Sequence, residues 1–366
     1  MRQQATYREA LDRVVSTVIA DGKYVSVEDP TPFEARLAAF CRHPHAVGVS
    51  SGTSALHIAL LAAGVESGDE VITVPNSFFA TVEAIFMTGA RPHFVDVDAC
   101  THLMSLPALA EAINERTRAI VPVHLFGNVV DVPAIQRMLT QRGREDIIIV
   151  EDCAHAIGAT RAGQPVPLGR IGAFSFNPGK NIGGLGDGGA IVTDDEHVAG
   201  KAKLLRDHGR RGKNEHLVLG FNARLDRLND SVLALKMDYL EAWNSRRHAH
   251  AARYEAAFNE LEGISPVRIE PEVCSARYQF VIRSKNRCEL RRLLQERGVA
   301  TAIHYPHLIV EQEPMVRLGF KVAAFPVAAR LNAKILSLPC FPELEEDEVS
   351  HVINAVRDAN ELGGPL

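Results

Sequence analysis

At 366 residues, 46% hydrophobic and 23% charged, the chain has room for one large domain and a smaller one around a substantial core. Its formal net charge of −5 leaves no basic excess to neutralise a phosphate backbone, which argues against a general nucleic-acid binder. No apolar run approaches a bilayer span, MRQQATYREALDR lacks the apolar core of a signal peptide, and the six scattered cysteines form no Cys-x-x-Cys pair, so a cytoplasmic protein with reduced thiols is expected.

In chain order, HAVGV at 45–49 precedes the helix-like TSALHIALLAA, and EVITV at 70–74 precedes FFATVEAIFMTG. RPHFVDV, PALAEAINERT, AIVPVHLF, VPAIQRMLTQRG and DIIIVED continue the alternation to residue 152. Short β-branched strands alternating with helices predict βαβ units around a mostly parallel sheet, an α/β fold with helices on both faces. The texture changes near residue 195. A long helix is expected from about Leu225 to Arg247, with Leu225, Leu228, Val232, Leu235 and Tyr239 spaced three and four apart. YQFVIRS, the charged NRCELRRLLQERG and VATAIHY then suggest a smaller α+β domain, and EEDEVSHVINAVRDANEL a terminal helix capped by Gly363. The expected division is 1–245 for the large domain and 246–366 for the small one.

Three stretches carry chemistry. In VSSGTSAL at 49–56 a strand ends, small residues turn and a helix begins, aiming N–H groups and a helix dipole at one point where a phosphate can sit. Gly52 allows close approach, and Thr53 and Ser54 add hydroxyls; an ordinary capped helix would look the same in isolation. In IVEDCAHA at 149–156 an apolar strand delivers Asp152 and His155 to its carboxyl end, where open α/β sheets place ligands. A buried aspartate there needs a cation, such as a protonated pyridine nitrogen, unless Asp152 only caps the next helix. In FSFNPGKNIGGLGDGGA at 174–190 a single lysine, Lys180, precedes five glycines between 183 and 189. A lysine in such a loop can act as an amine nucleophile, whereas neither nucleotide-binding glycine pattern is present. Together an anion cradle, a strand-end aspartate and an embedded amine meet the three needs of pyridoxal 5'-phosphate: phosphate, pyridinium and aldehyde.

The order SSGTSAL, PNSFFAT, PVHLFG, EDCAHA, FSFNPGK, GDGGAIVT, LGFNARLD and HYP resembles the DegT/DnrJ/StrS family of sugar aminotransferases nearly end to end. The resemblance implies the aspartate-aminotransferase (type I pyridoxal-phosphate) fold. It also implies that Thr53 and Ser54, at Gly52, hold the cofactor phosphate with Ser175, and that Phe78 stacks on the pyridine ring. Asp152 would pair with the ring nitrogen and His155 contact the phenolic oxygen side. Lys180 would form the internal aldimine and carry the proton shift. Asn222 would reach the phosphate of a neighbouring subunit, implying a homodimer with shared active sites. L-glutamate or L-glutamine would be the donor and a nucleoside-diphosphate-linked 3-keto sugar the acceptor. Arg206, Arg210, Arg211 and Lys213 would offer charge to the diphosphate, or form a solvated loop, while His304 and Tyr305 would approach the sugar. The chain departs from the family in LDRLNDS, which puts Asn229, Asp230 and Ser231 where relatives carry Gln-Ala-Ala.

The rivals are an aminotransferase of a free or phosphorylated keto sugar or cyclitol, a dehydratase, and a non-catalytic regulatory paralogue. Lys180 disfavours the dehydratases, which resemble this family but carry histidine there, and the intact cofactor set disfavours the paralogue. No metal is expected: the pairs His43/His45 and His248/His250 lack a third ligand in any recognisable spacing and read as surface histidines.

Overall fold

A computed structural model describes residues 2–25 and 30–362; the Gly363 cap lies outside the described residues. The large sheet is built from β1 (His45–Val49), β2 (Glu70–Thr73), β3 (Arg91–Phe94), β4 (Thr117–Ile120), β5 (Ile148–Asp152), β6 (Ile171–Ser175) and β7 (Gly189–Thr193). Their spatial order is β1-β7-β6-β5-β4-β2-β3. The β2, β3, β4, β5 and β6 pairings are parallel, and β7 runs antiparallel to both β1 and β6. Strand β1 therefore points the same way as β6, and the carboxyl ends of β1, β2, β5 and β6 share one edge. Strands such as β2 and β7 are buried along their whole length. That is why they read as continuous apolar runs rather than alternating ones.

The helix α1 (Gly52–Ala62) follows β1 and packs its Ile58, Ala59 and Leu60 against the sheet core. The long helix α2 (Arg227–Phe258) is 32 residues and extends past the expected end at Arg247. No glycine or proline interrupts it, and HAHAARYEAAF is rich in strong helix formers. Its buried seam runs on through Asn244, Arg247 and His250 to Tyr254 and Phe258, polar positions that conceal the periodicity in the sequence. Leu225 precedes the helix instead of starting it, although it is buried.

Beyond α2, β8 (Ile264–Pro266), β9 (Phe280–Ser284) and β10 (Ile335–Leu338) form an antiparallel sheet of order β8-β9-β10. Tyr254 and Phe258 pack against Phe280 and Ile282 of this sheet, against Leu290 and Leu294 of α3 (Arg287–Glu296), and against Val352 and Val356 of α4 (Glu346–Leu362). Truncating a buried phenylalanine there to alanine would cost about 3–5 kcal/mol. The surface-histidine reading needs correcting: His250 is buried, His43 and His248 are half-buried, and both bond backbone carbonyls. Segments distant in sequence, Gly169 beside His43, Ser275 beside His248 and Pro342 beside His250, decide their environment rather than spacing. No helix among the described residues is long and apolar enough to cross a membrane.

Candidate active site

The shared carboxyl edge of the sheet opens onto a cavity of about 570 Å³ lined by Gly52, Thr53, Phe78, Asp152, His155, Ser175, Lys180, His304 and Tyr305, among others. They come from six separate stretches: α1 after β1, the turn after β2, the ends of β5 and β6, the Lys180 loop, and the segment after α3.

At the start of α1, Ser51 caps the helix by accepting from Ser54 N–H at 3.0 Å, which leaves the N–H groups of Gly52 and Thr53 without an intrahelical acceptor. A Cβ on Gly52 would fall 2.6 Å from Ser175 Cβ, so only glycine lets the helix start come this close to the end of β6. Ser54 itself lies one step back, its hydroxyl bonded to Ser50 and Ser51 rather than lining the cavity. The cradle suits an anion.

Asp152 is 5% exposed and accepts from Thr81 Oγ1 at 2.8 Å and Ala154 N–H at 3.1 Å. Burial nevertheless drives its carboxyl above the usual range, against the pull of those bonds and of the Lys180 charge. The capping contact to Ala154 is thus real, and it leaves a buried carboxylate short of positive charge. Lys180 is the reciprocal case, its amine brought down to about 8 by burial while Asp152 opposes the shift. His155 Nδ1 accepts from Phe126 N–H at 3.3 Å, which leaves its ring proton on Nε2, 3.3 Å from Tyr305 Oη. Burial first, and the nearby Lys180 charge second, hold His155 well below the ordinary histidine range, so it is neutral at pH 7. Phe78 is 55% exposed at the mouth, 5.4 Å from the Tyr305 ring. His304 bonds Ser337 Oγ through Nδ1 at 2.9 Å.

The remaining expected residues stand elsewhere. Arg210 pairs with Asp207, Arg211 with Glu215, and Asn222 accepts from Arg224, all outside this chain's cavity. Arg206 is committed to Glu34 and the Gly48 carbonyl. Between them, Leu217, Val218, Leu219 and Phe221 are exposed, Leu219 at 96%. In the departure at 229–231, Asn229 Oδ1 accepts from Leu185 N–H at 2.8 Å, tying the glycine run after Lys180 to α2.

Sequence reading missed Thr81, Tyr278 and the Asn177–Asp187 pair at the mouth, 3.0 Å apart. Thr81 carried a signal, being the last residue of the PNSFFAT motif; Tyr278 carried none. A buried group of possible metal ligands, His124, Glu151 and Cys153, lies on the far side of Asp152. Its carboxylate is already engaged by His124 Nε2 and by the N–H groups of Leu168 and Gly169.

The fit to pyridoxal phosphate rests on donor chemistry: an anion cradle, a carboxylate lacking a cation, and an amine partly neutral near pH 8 line one cavity. The sequence profile of the DegT/DnrJ/EryC1/StrS aminotransferase family matches residues 6–357. The chain is 40% identical to the erythromycin biosynthesis sensory transduction protein EryC1 of Saccharopolyspora erythraea, over 97% of each chain. It is 38% identical to dTDP-3-amino-3,4,6-trideoxy-alpha-D-glucose transaminase of Streptomyces venezuelae, over 96% of this chain and 92% of that one. Among solved structures, S. venezuelae DesV in complex with a ketimine intermediate superimposes with a TM-score of 0.94 at 36% identity, covering 98% and 96% of the two chains. Bacillus subtilis NtdA with bound cofactor PMP gives 0.91 at 30% identity, covering 97% and 82%.

Proposed function

The chain belongs to the DegT/DnrJ/EryC1/StrS aminotransferase family, and on that premise we propose that it moves an amino group from L-glutamate, or L-glutamine, to a keto sugar with pyridoxal phosphate held at Lys180. The observation that carries this reading is the opposition of Lys180 and Asp152 in one cavity, where each charge shifts the other. When bound, the cofactor supplies an electron sink that acidifies the carbon bearing the transferred amine.

The chain's own groups supply the rest. Lys180 Nζ would hold the cofactor at its aldehyde carbon and, when free, would carry the proton between substrate atoms; an amine near 8 suits both duties. Asp152 keeps the pyridine nitrogen protonated, since a buried carboxylate and a pyridinium stabilise each other. Gly52 and Thr53 would offer N–H groups to the phosphate and Ser175 its hydroxyl, while Ser54, expected there too, is bonded to Ser50 and Ser51 and braces the cradle from behind. Phe78 covers the ring, and neutral His155 offers its Nε2 proton on the phenolic oxygen side. His304 and Tyr305 face the sugar.

The acceptor class we favour is a nucleoside-diphosphate-linked 3-keto-deoxysugar, in line with the S. venezuelae relative's name. Among the described residues, no arginine lines this chain's own cavity. The exposed 217–221 run and the outlying Asn222 support a homodimer in which that segment completes the partner's site, Asn222 toward the phosphate and Arg210 and Arg211 toward the diphosphate. We divide the domains within α2, at 245/246, and place the enzyme in the cytoplasm on its unpaired cysteines.

Running the reaction in reverse tests the acceptor: 3-amino and 4-amino sugars, free, phosphorylated or nucleotide-linked, are incubated with 2-oxoglutarate and the glutamate formed is measured. Glutamate from nucleotide-linked 3-amino sugars is the expected result. Turnover confined to unlinked sugars or cyclitols would overturn the carrier, and turnover of 4-amino sugars alone the ring position.

A further inference from the structure

Residues 275–279, which lead into β9, run past the reactive lysine and are fastened on every side. Ala276 N–H donates to Gly127 O at 2.9 Å and Gln279 N–H to Phe126 O at 3.3 Å. Ala276 O accepts from Asn181 Nδ2 at 2.8 Å, and Asn181 is the residue after Lys180. From α2, the buried Arg247 donates through Nη1 to the carbonyls of Arg277 and Tyr278 at 3.4 and 3.3 Å. The approach to the 124–127 turn is close: at Gly127, with φ +90, a Cβ would come within 2.9 Å of Arg277 N and 3.1 Å of Tyr278 N. Glycine is required there on both counts.

What all this holds in place is the Tyr278 ring. Lys180 Nζ lies over its face, 4.7 Å from the centroid, and the His155 imidazole packs on it at 4.5 Å with a 43° tilt. We propose that Tyr278 is a positioning residue for Lys180, its ring face holding the ammonium by a cation–π contact whenever the amine is not covalently engaged. The proposal rests on Lys180 being the reactive amine.

The surroundings explain why a ring suits this place. The groups facing Lys180 are Asp152, His155, His304, Tyr278 and Tyr305, with Asp187 at the mouth of the cavity. Burial and the Lys180 charge keep both histidines below their ordinary range, so both favour the neutral form, which is no counter-anion for the ammonium. Burial pushes both phenols up, so neither supplies an anion. Among the described residues Asp152 is the carboxylate that draws the Lys180 amine upward, and a bound pyridinium would share it. An aromatic face stabilises a desolvated ammonium without being a base that removes its proton. Lys180 thus keeps its proton, and its place, until the substrate requires it.

The test varies the ring's electrostatics and leaves its size nearly constant. Position 278 is changed from tyrosine to phenylalanine, 4-fluorophenylalanine and 3,4,5-trifluorophenylalanine in the full chain. In cofactor-free protein the pH midpoint for acetylation of Lys180 by acetic anhydride is read by peptide mass spectrometry. Fluorination weakens the ring's negative face, so the midpoint should fall stepwise, by roughly half to one pH unit across the series. A midpoint that stays level or rises along the series overturns the proposal. Borohydride reduction of each variant loaded with pyridoxal phosphate keeps the two readings apart. A cofactor-sized mass added to the Lys180 peptide together with flat midpoints refutes Tyr278 alone; no added mass, even in the wild type, refutes Lys180 as the reactive amine and the proposal with it.

Discussion

Glu151 and Asp152 are adjacent, both buried, and end the same strand, yet their surroundings differ completely. A strand sends successive side chains to opposite faces of its sheet. On one face, Glu151 is saturated by His124 Nε2 at 2.8 Å and by the N–H groups of Leu168 and Gly169 at 2.8 and 2.5 Å. On the other, the Asp152 side chain accepts only from Thr81 and Ala154 among the described residues, and burial forces its carboxyl upward against the pull of the Lys180 charge. The saturated carboxylate ties two loops to the sheet. The undersupplied one faces the cavity, where the Lys180 charge only partly offsets its burial. Burial of charge alone therefore does not mark a functional site; a deficit of donors around the charge does.

The largest effect should come from removing the cavity's own cation. Lys180→Ala should reduce turnover by about 10⁴-fold or more, since nucleophile and proton carrier are lost together. Its apoprotein should melt within a few degrees of the wild type, because the fold rests on the Glu151 face and the cores; a variant that keeps most of its activity contradicts the assignment.

Next come the two carboxylates, whose substitutions should separate. Asp152→Asn should weaken cofactor binding by about 10²–10³-fold, as expected for breaking a buried ion pair, without destabilising the apoprotein. The sign follows from its raised folded-state value: the aspartate favours folding below the unfolded carboxylate range near 3.8 and loses that contribution as pH rises. The asparagine variant should then match or exceed wild-type apoprotein stability at pH 7, with the difference vanishing near pH 4. Glu151→Gln should do the reverse, costing about 2–4 kcal/mol of stability as charge-assisted bonds are lost, with little direct effect on the cofactor. Denaturant melts and cofactor titrations of both variants decide this, and exchanged phenotypes would break the comparison.

The smallest change is Thr81→Val, which removes a single donor to Asp152 and should weaken cofactor retention by about five- to tenfold. Equilibrium dialysis reads it, and unchanged retention would show that Asp152 does not depend on that bond.

Much of this was legible in the sequence because the relevant signals are local. β1 and β5 announce themselves as β-branched runs, and the glycine cluster isolates Lys180 from other basic residues. Thr53, Asp152, His155 and Ser175 fall at strand ends, where chain order and ligand position coincide. The hidden parts are those set by distant packing. Thr81 meets Asp152 across 71 positions, and Tyr278 reaches Lys180 from the small-sheet side of the chain. The extension of α2 was concealed because its seam passes through Asn244, Arg247 and His250, whose partners are distant in sequence: Asn181 and Ile157 for Asn244, the carbonyls of 277, 278 and 340 for Arg247, and the backbone of Pro342 for His250. Asn222, Arg210 and Arg211 illustrate a different limit: a motif locates a residue in the chain, yet all three stand outside this chain's own cavity.

The most direct test of the central claim is the visible spectrum of the protein loaded with pyridoxal phosphate, before and after L-glutamate is added without any acceptor. An absorbance band of lysine-bound cofactor is expected that bleaches on adding glutamate, or glutamine if that is the donor, and that is absent from Lys180→Ala. No band in the wild type, or a band that neither donor alters, would contradict it.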